Sequence, residues 1–151
     1  MQKKIGKIFV DGDACPVVDE ILYVADKYKI SVVFVTSYAH IRNKSFPSFV
    51  NHVYVDQDKE AADLKIANAV SKDDLAITDD LGLSSLLIAK GVHVLTSRGK
   101  FITDREIDYL LDSRYHSAKK RRSGGKTKGP KKLTDEDREQ FKYEIEKILS
   151  Y

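Results

Sequence analysis

The sequence is poor in cysteine and in long apolar runs. Its 151 residues include one cysteine, Cys15, which excludes an intrachain disulfide and argues against a cysteine-based zinc site. No apolar run approaches the ~20 residues that a bilayer-spanning helix needs. Lysines interrupt the N-terminal stretch in which a signal peptide would carry its apolar region. We therefore expect a cytoplasmic protein with one ordinary domain, in which Cys15 is a small buried residue.

Several motifs of well-known enzyme classes are also absent. The chain has no Walker A sequence and no G-x-G-x-x-G, and its adjacent serines Ser84 and Ser85 do not lie in a G-x-S-x-G elbow. Aromatic residues make up 9% of the chain and form no RNA-stacking motif. These absences argue against P-loop, dinucleotide-binding and α/β-hydrolase chemistry.

Charge is distributed unevenly along the chain. Residues 1–113 carry 14 basic and 17 acidic side chains, whereas residues 114–132 carry nine basic and no acidic ones. Residues 119–132 also contain two adjacent glycines, a Gly-Pro pair and no large apolar residue, so we expect a flexible basic loop. Such a loop favours a nucleic-acid partner, because phosphate backbones attract lysine and arginine. A solvated charge run is the plainer alternative.

Short apolar runs alternate with helical patterns over the first 95 residues. The patterns predict strands at 8–10, 31–36, 52–55, 75–78 and 92–95, and helices at 16–28, 60–70 and 83–90. Pro16 suits the first turn of the first helix, with Asp13 or Ala14 near its cap. Strands separated by helices imply a three-layer α/β/α fold with a mostly parallel central sheet.

Two capping boxes predict further helices in the C-terminal third of the chain. One starts at Thr103 and opens a helix to about Asp112, and the other starts at Thr134. The second helix, over 134–150, should dock on the body of the domain through an apolar stripe that consists of Phe141, Ile145, Ile148 and Leu149.

Two pairs of aspartates follow predicted strands. Asp11 and Asp13 come directly after the first strand, and Asp79 and Asp80 directly after the fourth. Ligands of open α/β sheets bind beyond the carboxyl ends of the strands, so the four carboxylates converge if these two strands are neighbours. Mg²⁺ or Mn²⁺ would relieve their mutual repulsion, because these ions take oxygen ligands. The alternatives are that Asp13 caps the first helix and that one residue of the second pair caps a later one.

Other charged side chains extend this hypothesis. Asp63 lies one helical turn after Glu60, so the two share a face of the second helix, although acids are also favoured in a first turn. Three or four carboxylates at strand ends suggest metal-assisted phosphoryl chemistry. Arg98, just after the fifth strand, could reach a phosphate at the same crevice, and Arg114 leads into the basic loop.

Several stretches of the sequence, in order along nearly the whole chain, resemble the YaiI/YqxD family. They are DGDACPVVDEI at 11–21, EAADLKIAN at 60–68, AITDDLGLSSLLIAKG at 76–91, SRG at 97–99 and RRSGGKTKGP at 121–130. The resemblance implies a fold similar to that of the PIN-like, NYN-related nuclease domains, whose acidic clusters bind Mg²⁺ or Mn²⁺ and cut RNA.

The resemblance also assigns residues of this sequence to the acidic motifs of the family. Asp11 and Asp13 match the first acidic motif, Asp63 matches the acid of the middle helix, and Asp80 matches the acid of the Thr-x-Asp-x-x-Leu element. Asp79 falls on a variable position of that element, which makes it a lesser metal ligand. Glu60 stands where an aspartate is expected in many members, so it too is a lesser ligand.

We therefore expect a single PIN-like domain over residues 1–151 that acts as a metal-dependent nuclease on RNA. Its catalytic and metal-binding residues would be Asp11, Asp13, Asp63 and Asp80. The nucleic-acid contacts would come from ten basic residues, namely Arg98, Arg114, Lys119, Lys120, Arg121, Arg122, Lys126, Lys128, Lys131 and Lys132.

Two other functions stay open at this stage. One is a haloacid-dehalogenase-type phosphatase, in which Asp11 would be the nucleophile and Asp13 the general acid. That mechanism also needs a lysine near the phosphate, for which the sequence offers no clear candidate. The other is a non-catalytic RNA-binding module.

Overall fold

The computed structural model describes residues 4–13, 15–37, 46–56, 60–109, 112 and 132–150. Five strands lie in this part of the chain, namely β1 (Lys7–Asp11), β2 (Ser31–Ser37), β3 (Val50–Val55), β4 (Leu75–Ile77) and β5 (His93–Leu95). The helices are α1 (Val18–Tyr28), α2 (Ala61–Ala69), α3 (Leu81–Ala89) and the C-terminal helix α4 (Asp135–Leu149), and residues 104–109 are also helical. None of the helices in these ranges is both long and apolar enough to cross a membrane.

The five strands form one parallel sheet in the order β3-β2-β1-β4-β5. β1 and β4 are neighbours, with Val10 opposite Ile77, so the condition for convergence of the two aspartate pairs is met. The chain winds outward from β1 through β2 to β3 and then returns to the other side of β1. This reversal of strand order is where open α/β sheets form their ligand crevice.

Helices cover both faces of the sheet, which confirms the three-layer α/β/α fold. Ile8 and Val10 of β1 pack into a core with α1 and α4, whereas Phe9 packs into a second core with α2 and α3. Successive side chains of a strand point to opposite faces, so a central strand covered on both sides must be apolar throughout.

Helix α4 docks on α1, as its apolar stripe predicts. Phe141, Ile145 and Leu149 are buried in the shared core, and Ile148 packs against it. The predicted capping box at Thr134 is confirmed. Thr134 Oγ1 accepts a hydrogen bond from the Asp137 amide at 3.1 Å, and Asp137 Oδ2 accepts one from the Thr134 amide at 2.9 Å.

The start of the first helix differs from its prediction. Helix α1 begins at Val18, Pro16 lies in the preceding turn, and no side chain caps the helix from its N-cap residue Val17. The interpretation of Asp13 as the cap is therefore wrong. Asp13 Oδ1 instead accepts a hydrogen bond from the Ser37 amide at 2.8 Å, which ties the turn after β1 to the end of β2.

Other boundaries shift by one to two residues. β3 begins at Val50 rather than at 52, and β4 ends at Ile77 rather than at 78. Thr103 Oγ1 accepts a hydrogen bond from the Glu106 amide at 3.4 Å, in agreement with a helix start at that point. Of the predicted basic loop at 119–132, residues 119–131 lie outside the described residues.

Candidate metal centre at the carboxyl edge of the sheet

A cleft of about 210 Å³ opens beyond the carboxyl ends of β1 and β4. It lies where the strand order reverses, as the sequence predicts for a ligand site. Its lining combines three carboxylates with small and apolar side chains, namely Asp11, Cys15, Pro16, Ile77, Thr78, Asp79, Asp80 and Ser97.

Asp11, the last residue of β1, is the most enclosed carboxylate of the cleft. Its Oδ2 accepts a hydrogen bond from Thr78 Oγ1 at 3.0 Å, and Thr78 Oγ1 in turn accepts one from the Asp80 amide at 3.1 Å. Burial raises the pKa of Asp11 against the opposing effect of the Thr78 hydrogen bond, and the nearby charges of Asp80, Asp13 and Asp79 raise it further. These carboxylates therefore share one electrostatic environment.

Asp79 and Asp80 are adjacent in sequence but have different partners. Asp79 is bound through both oxygens by Ser97, whose amide and hydroxyl donate hydrogen bonds at 2.8 and 2.6 Å. Asp80 caps α3, because its Oδ1 accepts a hydrogen bond from the Leu83 amide at 2.9 Å. The expectation that one of this pair caps a helix is thus confirmed. The capping bond engages one oxygen of Asp80, and its charge still acts on Asp11 and Asp63.

Asp63 lies near Asp11 and Asp80 but belongs to α2, which covers the face of the sheet opposite to α1. It lies in the first turn of α2 and is partly buried. Burial raises the pKa of Asp63 to about 6, with further contributions from the charges of Asp80, Asp11 and Glu60. Charges on β1 and on the segment after β4 therefore act on the carboxylate of α2, and the charge of Glu60 acts on it too.

The chemistry of the donor set fits a hard divalent cation. The site offers carboxylate oxygens, and no lysine or arginine is among the residues that line the cleft in the described ranges. An ion of the Mg²⁺ or Mn²⁺ type prefers such ligands. In the described part of the chain, however, no three histidine, cysteine, aspartate or glutamate side chains already stand in an arrangement that could hold a metal ion.

Cys15 lines the cleft but is a poor nucleophile there. Burial raises the pKa of its thiol to about 12, and the charges of Asp79, Asp11 and Glu20 act in the same direction. The thiol is therefore protonated at neutral pH. It packs against the core between the sheet and α1, close to the expected role of a small buried residue.

The comparisons with known proteins agree with the resemblance that the motifs carry. The model of the family described as "Uncharacterized BCR, YaiI/YqxD family" matches residues 9–151. The chain belongs to this family. It is similar to a protein of Bacillus cytotoxicus that is named a UPF0178 protein, with 48% identity over 148 residues, which cover 98% of this chain and 95% of the relative.

Other relatives carry the same name. A UPF0178 protein of Bacillus pumilus is 49% identical over 143 residues, which cover 95% of this chain and 86% of the relative. One of Oceanobacillus iheyensis is 49% identical over 135 residues, which cover 89% of this chain and 92% of the relative. No solved structure matches the chain. The names of the relatives and of the YaiI/YqxD family assign no activity.

The structure brings together the acidic positions that match the motifs of the YaiI/YqxD family. The charge of Asp80 acts on Asp11 and Asp63, the charge of Asp11 acts on Asp63, and Asp13 contributes its charge to Asp11 while it is hydrogen-bonded to β2. Asp79 lines the same cleft. Among the basic positions, Lys132 is exposed just before α4, and the others between 114 and 131 lie outside the described residues.

Helix α4 makes polar contacts with Pro16, which lines the cleft, and with Arg98, which follows Ser97 of the lining. The sequence did not predict these contacts. Arg138 Nη1 donates a hydrogen bond to the Pro16 carbonyl at 2.7 Å and also pairs with Glu20. Arg98, expected to reach a phosphate, forms an ion pair with Asp137 at 2.5 Å. The capping-box motif identifies Asp137 as a residue of the helix start. Its ion pair with Arg98, 39 residues away, cannot be predicted from the local sequence.

Proposed function

We propose that this member of the YaiI/YqxD family hydrolyses phosphodiester bonds in RNA with the aid of a divalent cation, Mg²⁺ or Mn²⁺. One observation carries the proposal. Asp11 and Asp80, from β1 and from the segment after β4, line a single cleft, and their charges add to burial in raising the pKa of Asp63 on α2. Raised carboxylate pKa values in a cleft are typical of functional sites.

The cleft repels a phosphodiester unless a cation is present, because its charged lining residues in the described ranges are all acidic. A divalent cation, when bound, would supply positive charge that offsets the charge of the phosphodiester and would lower the pKa of water. Asp11, Asp63 and Asp80 would hold that cation. Asp13 and Asp79 would fix the segments next to Asp11 and Asp80, because they accept hydrogen bonds from the Ser37 and Ser97 amides.

The basic character of residues 114–132 supports a nucleic acid as the substrate. This stretch contributes nine positive charges and no negative ones. Each lysine or arginine that contacts a backbone phosphate releases counterions, so binding must weaken as salt increases. Replacing the lysines and arginines of residues 119–131 with glutamine should weaken RNA binding and flatten its salt dependence. An unchanged affinity would leave this stretch as a solvated charge run.

The phosphatase alternative requires Asp11 to be a nucleophile beside a lysine and Asp13 to be a mobile general acid. The cleft has no lysine among its described lining residues, and Asp13 is bonded to the Ser37 amide. Both observations favour cation-assisted attack by water over an aspartyl-phosphate mechanism.

Calorimetric titration of Mn²⁺ into the purified protein tests the metal site. Wild type should bind Mn²⁺, and both Asp11→Asn and Asp80→Asn should lose that binding. Asparagine caps a helix about as well as aspartate, so Asp80→Asn removes the charge and preserves the start of α3. The matched control is Asp26→Asn, which removes an exposed charge near the C-terminal end of α1, away from the cleft.

Hydrolysis is tested separately with end-labelled single-stranded RNA. Cleavage should require Mn²⁺ or Mg²⁺, should stop in EDTA and should be lost in Asp11→Asn and Asp80→Asn but not in Asp26→Asn. Equal Mn²⁺ binding by wild type and both site variants would contradict the metal site. Metal binding without cleavage of RNA or DNA would contradict the hydrolytic function.

A further inference from the structure

The first turn of α4 contacts two separate segments of the chain at the cleft. Arg138 Nη1 donates a hydrogen bond of 2.7 Å to the carbonyl of Pro16, which lines the cleft. The preceding residue, Asp137, forms an ion pair of 2.5 Å with Arg98, in the turn after β5. Two consecutive residues of one helix therefore contact both the segment after β1 and the segment after β5.

The strand order shows where these two segments lie. β4 lies between β1 and β5 in the sheet. The segments after β1 and β5 therefore flank the segment after β4, which carries Asp79 and Asp80. All three segments contribute to the lining of the cleft, with Pro16 on one side and Ser97 on the other. The first turn of α4 thus connects the two outer segments of the cleft.

Packing fixes the position of this helix turn. Thr134 and Asp137 form the capping box, and Phe141, one turn further along α4, is 0% exposed. The turn after β5 approaches the helix so closely that a Cβ on Gly99 would lie 2.6 Å from the Phe141 amide nitrogen. The first turn of α4 is therefore a fixed support to which the segment after β1 is hydrogen-bonded.

A second ion pair joins α4 to α1 and provides an internal comparison. Arg138 pairs with Glu20, whereas Glu146 pairs with Lys27. Lys27 lies two helical turns after Glu20, which is about 10 Å further along α1. Both ion pairs hold α4 on α1, but of the two cations it is Arg138 that also contacts the lining of the cleft. The contact with Pro16 is therefore additional to the docking of α4.

We propose that Arg138 is a positioning residue of the cleft. Through the Pro16 carbonyl it holds the segment after β1 against the segments after β4 and β5, and the affinity of the carboxylates for a divalent cation depends on this placement. Asp11 and Asp13 precede Pro16 closely in the chain. The inference rests on the proposed function and adds a residue from α4 to its site. Groups that hold metal ligands in place commonly affect metal affinity by 10- to 100-fold.

Positioning and simple electrostatics predict opposite effects of removing Arg138. A guanidinium near the cleft repels a cation, so loss of its charge alone would strengthen Mn²⁺ binding, whereas loss of positioning weakens it. The same contrast applies to the thiol of Cys15, next to Pro16. Loss of a nearby positive charge disfavours the thiolate and slows alkylation, whereas release of the segment exposes the thiol and accelerates alkylation.

The first test is calorimetric titration of Mn²⁺ into Arg138→Ala, in which binding should weaken by roughly 10-fold relative to wild type. Arg138→Lys keeps a cationic donor for the Pro16 carbonyl and should stay within about threefold of wild type. The matched control is Lys27→Ala, which removes the other ion pair between α1 and α4 and should bind Mn²⁺ as wild type does.

The second test needs no metal. In EDTA, Cys15 of Arg138→Ala should react with iodoacetamide roughly 10-fold faster than Cys15 of wild type, because the segment opens more often. Lys27→Ala should react at the wild-type rate. Urea unfolding of each variant establishes that the protein is folded under the conditions of both tests.

The positioning role is overturned if Arg138→Ala binds Mn²⁺ as tightly as wild type, if its Cys15 reacts no faster, or if Lys27→Ala shows the same changes. Unchanged Mn²⁺ binding in Arg138→Ala would leave the metal centre itself intact. Absence of Mn²⁺ binding by wild type would contradict the metal centre and the effect on affinity with it. The alkylation rates would then decide alone whether Arg138 holds the segment after β1. Weaker Mn²⁺ binding by Arg138→Ala, in a protein that cleaves no RNA, would keep the positioning role and contradict the hydrolytic function.

Discussion

Replacing Gly99 with alanine tests the docking of α4 against the turn after β5. Gly99 has a φ of +80°, a conformation that L-residues rarely adopt. A Cβ at this position would lie 2.6 Å from the Phe141 amide nitrogen and 2.7 Å from the Gln140 carbonyl carbon. Both are backbone atoms within α4, so no side chain can rotate away to accommodate the methyl group.

Gly99→Ala should lower the free energy of unfolding for two reasons. A left-handed backbone costs a non-glycine residue about 1–2 kcal/mol. Moving α4 away from the turn disturbs the packing of Phe141, which is 0% exposed, and overpacking of this kind costs about 1–3 kcal/mol. Gly99→Ala should therefore lower the free energy of unfolding by about 2–5 kcal/mol.

Gly91 provides the matched control. Its φ is +81°, and the nearest atom to an added Cβ is Lys72 Cβ at 3.7 Å, an ordinary contact. Gly91→Ala should therefore lose only the conformational part, about 1–2 kcal/mol. Urea unfolding monitored by far-UV circular dichroism measures both losses, given two-state behaviour. Equal losses in the two variants would refute the close approach of α4 to the turn.

Three further predictions address the cleft and α4. In metal-free protein, Asp63→Asn should be more stable than wild type at pH 8 by up to about 1 kcal/mol, and the gain should disappear near pH 4. The sign follows because the folded-state pKa of about 6 exceeds the ordinary value of 3.8, so folding favours the protonated acid and loses stability as pH rises between these values. Thr134→Ala should lower the free energy of unfolding by about 1 kcal/mol through loss of the capping box, measured by urea unfolding. Cys15 should react with iodoacetamide at pH 8 roughly a thousandfold more slowly in the folded protein than in guanidinium chloride, because its pKa of about 12 leaves little thiolate.

Each of these predictions has a contrary outcome. A pH-independent effect of Asp63→Asn would mean that burial and the neighbouring charges do not raise the pKa of Asp63. No loss of stability in Thr134→Ala would mean that the first turn of α4 does not depend on its cap. Rapid alkylation of Cys15 in the folded protein would place its thiol in solvent rather than against the core.

The sequence predicted the layers and the position of the cleft because both follow from local patterns. Apolar runs interrupted by helices determine the alternation of strands and helices, and parallel strands bring their carboxyl ends to one edge. Convergence of Asp11 with Asp80 was predicted only on the condition that β1 and β4 are neighbours. That adjacency depends on the packing of whole βαβ units, and the structure supplies it.

The roles of individual side chains were harder to predict because long-range partners decide them. Asp79 and Asp80 follow the same strand, and what distinguishes them is Ser97, 18 residues further on, which binds Asp79. Asp13 could have capped α1, but the Ser37 amide holds it from 24 residues away.

Two acidic side chains elsewhere in the chain, Asp74 and Asp137, have surroundings that differ from those of Asp11 and Asp63. Asp74 is buried, and its carboxylate accepts hydrogen bonds from the Lys7 amide at 3.0 Å, the Ser71 amide at 2.9 Å and the Ser71 hydroxyl at 3.1 Å. At Asp137, the hydrogen bond from the Thr134 amide lowers the pKa. In both places the fold supplies hydrogen-bond donors to the carboxylate.

The surroundings of Asp11 and Asp63 disfavour the charged form of the carboxylate. Burial and neighbouring carboxylates raise the pKa values of Asp11 and Asp63, so the charged forms cost stability at neutral pH. A chain selected for stability alone could replace Asp63 with a neutral residue, and Asp63→Asn tests whether stability would then increase. Retaining a costly cluster of like charges is the expected pattern at a functional site, where a bound cation would offset the repulsion. Addition of Mn²⁺ should accordingly reverse the order of stability, so that wild type exceeds Asp63→Asn when the metal is bound.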